Sequence, residues 1–187
     1  MPPALQASPA IITMEQYEAL PEGKRVEVFD GIVYDMASPS RDHQMILTEL
    51  LFTIRGYLKQ KGGPCRIFPA PFDVKLSDRP FTIVQPDIMV VCDKRKLDQN
   101  HCNGAPDFVI EIVSIGNPSD DYIRKLYHYK NHGVREYWIV DPRHQTVSVN
   151  YFEGNLSAVE YPFDSTIKVN IFDDLYINFG EIAAQLN

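Results

Sequence analysis

Two stretches decide the reading of this chain: Pro86-Asp87-Ile88-Met89-Val90-Val91 and Phe108-Val109-Ile110-Glu111-Ile112-Val113, which place Glu111 24 positions after Asp87. Each is a short apolar, β-prone run bounded by Pro, Asn or Asp, and so predicts strands over Asp87 to Cys92 and Phe108 to Ser114. Each also carries one carboxylate. An ionised carboxylate taken from water without a partner costs several kcal/mol, so a Glu among five apolar neighbours calls for a cation, a hydrogen-bond network or a metal. The competing reading puts Glu111 on the wet face of an edge strand, with Phe108, Ile110 and Ile112 facing inward. Asp87, directly after a proline, is by itself compatible with a plain turn residue.

On either side of these strands the pattern stays mixed. Thr13-x-x-Gln16 is a capping box and Pro21 a stop, which predicts a short helix over Thr13 to Leu20. Asp30-Gly31 joins two β-prone runs, Arg25 to Phe29 and Ile32 to Met36, as a hairpin. From Asp42 to Gln60 the residues Leu47, Leu50, Leu51, Ile54 and Leu58 recur at helical spacing, and Gly62-Gly63 ends the pattern. Further strands are expected at Arg66 to Phe68, Phe72 to Leu76 and Phe81 to Val84. Ser119 caps a second helix running to His132, and a strand follows over Tyr137 to Asp141. The tail reads as strands at Thr146 to Phe152, Leu156 to Tyr161 and Thr166 to Val169, then a short helix near Gly180 to Gln185. Fold class is therefore α/β or α+β, with a mixed central sheet flanked by helices and additional hairpins. Residues 1–12 read as a flexible N-terminus and 13–187 as a single domain.

The 187 residues carry a net charge of −7, which excludes a basic polymer binder, and the longest apolar run, Ile88 to Cys92, is far below the roughly 20 residues a membrane span needs. With no basic, apolar leader, the chain reads as cytoplasmic, without membrane association. Charge is uneven: residues 36–97 are net +4, whereas 1–35 are −4, 98–140 are −2 and 141–187 are −5. A locally basic, metal-dependent cleft is compatible with that division. Cys65, Cys92 and Cys102 make no Cys-x-x-Cys and are read as buried or idle thiols.

Asp121, Lys125 and Tyr129 lie at four-residue steps and share one helical stripe. As a surface i,i+4 pair, Asp121 and Lys125 would matter little. Beside two strand carboxylates, Lys125 instead suggests a phosphodiester site in which hard oxygen ligands hold Mg²⁺ and the ammonium offsets phosphate charge.

Taken together, Pro86-Asp87-x-x-Val90-Val91, Pro106-Asp107-Phe108-Val109-Ile110-Glu111-Ile112-Val113-Ser114, Asp121-x-x-x-Lys125-x-x-x-Tyr129 and Gly133-Val134-x-Glu136-Tyr137-Trp138-x-Val140-Asp141-Pro142 resemble the bacterial Uma-two family of restriction-endonuclease-like proteins. That family is similar to the PD-(D/E)XK nuclease superfamily. The resemblance runs from about Thr13 to Phe179 and takes in Glu27-x-x-x-Gly31 and His43. It departs from the superfamily pattern at Val113, where a lysine is usual, so Lys125 on the next helix would substitute.

The resemblance implies a restriction-endonuclease-like fold and hydrolysis of DNA by metal-activated water. Asp87, Glu111 and the main-chain carbonyl of Ile112 would hold Mg²⁺ or Mn²⁺, and Lys125 would orient or help deprotonate the water. Glu27 would complete the ligand set, unless it only pairs with Lys24 or Arg25. His43, near a helix N-terminus, would be a neutral partner of the phosphate or of Glu27, unless it is structural. Asp73 and Asp107 carry little weight, the second as a turn residue. A cut through two strands implies a homodimer, for which Tyr151-Phe152 and Tyr161 to Phe163 offer exposed aromatic edges. Loops such as Asp93 to Ala105 would supply specificity.

Other chemistries fit less well. His128 and His132 are one helical turn apart, but Tyr129 stands where a zinc protease needs Glu, which leaves a pair of surface histidines. A Cys92, His101, Cys102 clip lacks a fourth ligand. Gly-x-Ser-x-Gly and phosphate-binding glycine loops are absent from the sequence. The main rival is a catalytically silent nuclease-like fold that binds nucleic acid or protein.

Overall fold

The structure, a computed structural model, describes residues 11–21, 23–114, 119–154 and 158–186, with backbone alone at 119–121. Most of the N-terminal stretch expected to be flexible, the Asp121 side chain and the expected strand start at Leu156 lie outside the described residues.

Helix α1 (Met14–Glu18) carries the capping box: the Thr13 hydroxyl accepts from Gln16 N, and Thr13 N donates to the Gln16 side chain at 2.9 Å. Strands β1 (Val26–Phe29) and β2 (Ile32–Asp35) form the hairpin. Its turn residues Asp30 and Gly31 have φ of 52° and 81°, the left-handed geometry that a two-residue hairpin turn demands. Helix α2 (Arg41–Lys61) starts at Ser40, whose hydroxyl accepts from His43 N. A run of strands follows: β3 (Arg66–Pro69), β4 (Asp73–Asp78), β5 (Phe81–Val84), β6 (Ile88–Val91), β7 (His101–Asn103) and β8 (Phe108–Ile112). Then come α3 (Ser119–His132), β9 (Glu136–Asp141), β10 (Thr146–Tyr151), β11 (Val159–Pro162), β12 (Thr166–Lys168), β13 (Tyr176–Asn178) and α4 (Phe179–Ala184).

These strands make a six-stranded sheet in the order β11-β10-β9-β8-β6-β3, a five-stranded sheet in the order β2-β1-β5-β4-β7, and a β12-β13 pair. In the larger sheet only β8 and β9 run parallel, joined through α3; β4 and β7 are the parallel pair of the other. β8 is therefore central, and the edge-strand reading of Glu111 falls.

Alternation sorts the larger sheet into two faces. Phe108, Ile110, Ile112, Trp138 and Val140 pack with Ile46, Leu50 and Ile54 of α2. Val109 and Tyr137 face the other way, with Tyr129 and Val134 of the α3 end. Glu111 shares the face of Val109, toward α3.

Some details differ from expectation. Cys65 and Cys92 form a disulfide, because they flank the ladder in which Arg66 pairs with Val91; only Cys102 is a free, buried thiol. β7 and β13 were not expected; at three residues each they exist through pairing with β4 and β12. Of the expected aromatic edge, Phe163 is buried against Phe179 at 5.4 Å, whereas Tyr151, Phe152 and Tyr161 are half-buried, Phe152 packing on the α3-side core. No helix among the described residues is long and apolar enough to cross a membrane.

Candidate active site

Asp87 stands one residue before β6, and the β6–β8 register, Ile88 opposite Ile110, carries it toward Glu111. Its Oδ2 accepts two hydrogen bonds, from Ile112 N at 2.8 Å and from His43 Nε2 at 3.0 Å. His43 lies in the first turn of α2 and is only 3% exposed. Against a carboxylate acceptor Nε2 is the donor, and Nδ1 is buried without a hydrogen-bond partner.

From the hairpin, Glu27 of β1 reaches the same place. Lys125 of α3 sets its Nζ 3.0 Å from Glu27 Oε2 and 3.1 Å from Glu111 Oε1. All three side chains are 4–5% exposed, so the pairing is screened little by water. Glu27 Oε1 also accepts from Gln85 N at 3.0 Å, and Glu111 Oε1 accepts from Tyr129 OH at 2.7 Å. Lys125 and Tyr129 are one turn apart on α3, and that spacing brings both onto one carboxylate.

Burial pushes the Glu111 carboxyl up to about 8, against the pull of Lys125 and with a further push from Asp87 and Glu27. Tyr129 is raised well above its ordinary value, by burial first and then by Glu111. Burial is the first cause of both shifts, and the neighbouring carboxyl groups add to it: Asp87 and Glu27 at Glu111, Glu111 and Glu27 at Tyr129.

The group opens into a cavity of about 500 Å³, lined by Glu27, His43, Asp87, Glu111, Ile112 and Lys125, with Arg25, Tyr34 and Arg124 on the same wall. Could it hold a divalent ion? The carboxylate oxygens are hard donors, and a dication would take the place of the proton that burial holds on Glu111. Among the described residues no group of three or more His, Cys, Asp or Glu side chains is arranged as a metal cluster. An ion here would therefore draw on two carboxylates, a main-chain carbonyl, water and substrate, the mode that suits Mg²⁺.

The sequence candidates Asp87, Glu111, Lys125, Glu27 and His43 thus converge; Glu27 is buried and pairs with Lys125, while Lys24 pairs with Asp35. Asp73 lies elsewhere, accepting from Tyr17 OH at 3.1 Å and Gln85 Nε2 at 2.7 Å. Asp107, expected as a turn residue, is instead a cross-strand tie: it accepts from Cys92 N at 2.7 Å, just past the end of β6, and pairs with Arg135 at 3.4 Å. His128 and His132 stack at 5.7 Å, but His128 is only 3% exposed and packs on Phe29, so the expected pair of surface histidines is corrected to one buried and one outer ring. The loop over residues 93–105 does not line the cavity; the segment after β2, from Met36 to Pro39, does. Tyr129 and the Gln85 amide were missed as site groups, although the four-residue step from Lys125 signals the tyrosine.

Comparison with known proteins agrees with this architecture. A solved structure described as "a putative nuclease belonging to DUF820 from Anabaena variabilis ATCC 29413" superposes with a TM-score of 0.81 at 23% sequence identity, over 94% of this chain and 99% of that one, which establishes a shared fold. No curated protein sequence matches. The model of the Uma2 family, described as "Putative restriction endonuclease", matches residues 14–180. Since that span is nearly the whole chain, the protein belongs to the Uma2 (Uma-two) family of restriction-endonuclease-like proteins.

Proposed function

We propose that the chain is a metal-dependent endonuclease that hydrolyses DNA phosphodiesters. The observation that carries this reading is the convergence of Asp87, Glu111 and Lys125 at the base of one cavity. Asp87 and Glu111, with the Ile112 carbonyl, would hold Mg²⁺ or Mn²⁺. Such an ion, when bound, lowers the pKa of water and offsets charge on the attacked phosphate. His43 and Ile112 N fix one oxygen of Asp87, which orients the other. Lys125, steadied by Glu27, orients the attacking water. Water supplies the new P–O bond, the bond to the 3′ oxygen breaks, and that oxygen leaves protonated.

The test is plasmid cleavage in Mg²⁺ or Mn²⁺ by the wild type, Glu111→Ala and Lys125→Ala. Loss in both variants is expected. Equal cleavage by all three would point to a contaminant and overturn the reading.

A second reading keeps the nuclease fold as a silent binding module. Its support is that Glu111 Oε1 is already taken by Lys125 and Tyr129. Calorimetric titration with Mn²⁺ separates the two, because a binding module has no use for a hard cation at Asp87 and Glu111. A homodimer, which a double-strand cut requires, and a cytoplasmic location complete the proposal.

A further inference from the structure

The chain crosses from the five-stranded to the six-stranded sheet in three residues, Gln85-Pro86-Asp87, between the end of β5 and the start of β6. That crossing delivers Asp87 to the site. Gln85 is tied on both sides of it. Its main-chain N–H donates to Glu27 Oε1 at 3.0 Å, and its side-chain Nε2 donates to Asp73 Oδ1 at 2.7 Å. The strand registers make this possible: Val84 lies opposite Val74 of β4, which sets Gln85 beside Asp73, and Ile83 lies opposite Val28, which brings β1 and Glu27 alongside. Asp73 is itself held, since its Oδ2 accepts from Tyr17 OH at 3.1 Å and lies 4.0 Å from His101 Nε2.

The tether is stiff. Pro86 is buried, fixes its own φ and restricts the backbone of the residue before it, so Gln85 has little freedom with which to absorb a shift of its side chain. At the far end of the crossing Ala70 N donates to the Asp87 carbonyl at 3.0 Å. Burial alone would not select a glutamine here: its Oε1 is buried without a hydrogen-bond partner, a cost that an apolar side chain of like size would avoid. What the amide adds is its N–H contact with Asp73. Neither Gln85 nor Asp73 lines the cavity, so both act through other residues.

We propose that Gln85, anchored by Asp73, is a positioning residue of the site: it sets Glu27 through its N–H and Asp87 through Pro86, and so fixes the spacing at which Asp87 and Glu111 take up a divalent ion. The inference rests on the hydrolase reading above. Groups that orient metal ligands from behind are worth roughly 10- to 100-fold in metal affinity.

The experiment is calorimetric titration with Mn²⁺ of the wild type, Gln85→Met, Asp73→Leu, Asp73→Asn and the Gln85→Met/Asp73→Leu double variant, with Glu111→Ala as the background for binding elsewhere. Urea unfolding in EDTA accompanies each titration. Gln85→Met and Asp73→Leu each lose at least about tenfold in Mn²⁺ affinity. The double variant loses no more than either single one, because the two residues act as one tether. Asp73→Asn retains the affinity, since it keeps an acceptor oxygen for the amide while removing the charge. If Gln85→Met does not fold, Asp73→Leu against Asp73→Asn carries the test, as both leave the crossing untouched. A lower urea midpoint with unchanged Mn²⁺ affinity would make the amide a plain fastener and overturn the assignment. Additive losses, or an equal loss in Asp73→Asn, overturn it as well, the latter by tracing the effect to charge. A wild type that takes up no Mn²⁺ above the Glu111→Ala background removes the hydrolase reading and this role together, whereas equal uptake by wild type and Gln85→Met removes this role alone.

Discussion

Glu111 and Glu136 are both buried glutamates on adjacent strands of one sheet, yet they are satisfied in opposite ways. In the β8–β9 register Phe108 lies opposite Glu136, so Glu136 shares the α2 face while Glu111 points to α3. Glu136 accepts from three neutral N–H donors, Trp138 Nε1 at 2.7 Å, Asn170 Nδ2 at 2.9 Å and Ile171 N at 3.0 Å. That pocket is closed, and the glutamate clamps the segment after β12 to the sheet. Glu111 has one neutral donor, Tyr129, a cation shared with Glu27, and a cavity beyond. A buried carboxylate surrounded by fixed dipoles is a fastener. One that shares a cation with a second carboxylate, beside a third, keeps capacity for another positive ligand.

The largest way to break this contrast is Lys125→Met. Removing the ammonium leaves two buried carboxylates unpaired, so the variant loses about 3 to 5 kcal/mol of stability. Urea unfolding at pH 8 and pH 5 checks it: the penalty is greater at pH 8, where the carboxylates are asked to ionise. A penalty independent of pH would mean that packing of the lysine stem dominates.

Next in size is the pH dependence of Glu111. Its folded pKa is raised to about 8 by burial, against an ordinary value of 4.5. A raised carboxyl binds its proton more tightly in the folded chain, so its stabilisation is full below about pH 4.5 and is lost as pH climbs through about 8. In EDTA, wild-type stability relative to Glu111→Gln therefore falls across that range. Glu136 is raised in the same direction, by burial against its three donors, and Glu136→Gln flattens a smaller part of the same slope. That variant also turns an amide N–H toward Ile171 N, an orphaned donor worth about 2 kcal/mol, without changing Mn²⁺ affinity.

The same contrast shows what could be read in advance. Asp87, Glu111 and Lys125 were legible because carboxylates in apolar strands and a lysine at helical spacing are local anomalies. The central strands, the hairpin and both long helices were legible from apolar patterning, the Asp30-Gly31 turn and the Gly62-Gly63 stop; the expected Ser119 cap lies outside the described side chains. Glu136 stands in the Gly133 to Pro142 motif, but its clamping role carried no local signal: two of its three donors come from Asn170 and Ile171, more than 30 residues on, which only the fold brings to it. The Cys65–Cys92 pair was invisible for the same reason, since it depends on the β3–β6 register.

The smallest predicted effect separates Tyr129 as a positioning residue from Tyr129 as mere filling. Tyr129→Phe keeps the ring against Tyr137, 4.9 Å away, and deletes only the hydroxyl that donates to Glu111. One hydrogen bond of this kind is worth about 1 kcal/mol of stability. That hydroxyl also helps draw the Glu111 carboxyl down, so its loss raises the carboxyl further. A metal must then compete with a more tightly held proton. Mn²⁺-dependent cleavage by Tyr129→Phe is accordingly reduced about fivefold near pH 7, the equivalent of about 1 kcal/mol, and recovers as pH rises, moving the optimum in the alkaline direction. An equal reduction at every pH would assign the hydroxyl to packing alone.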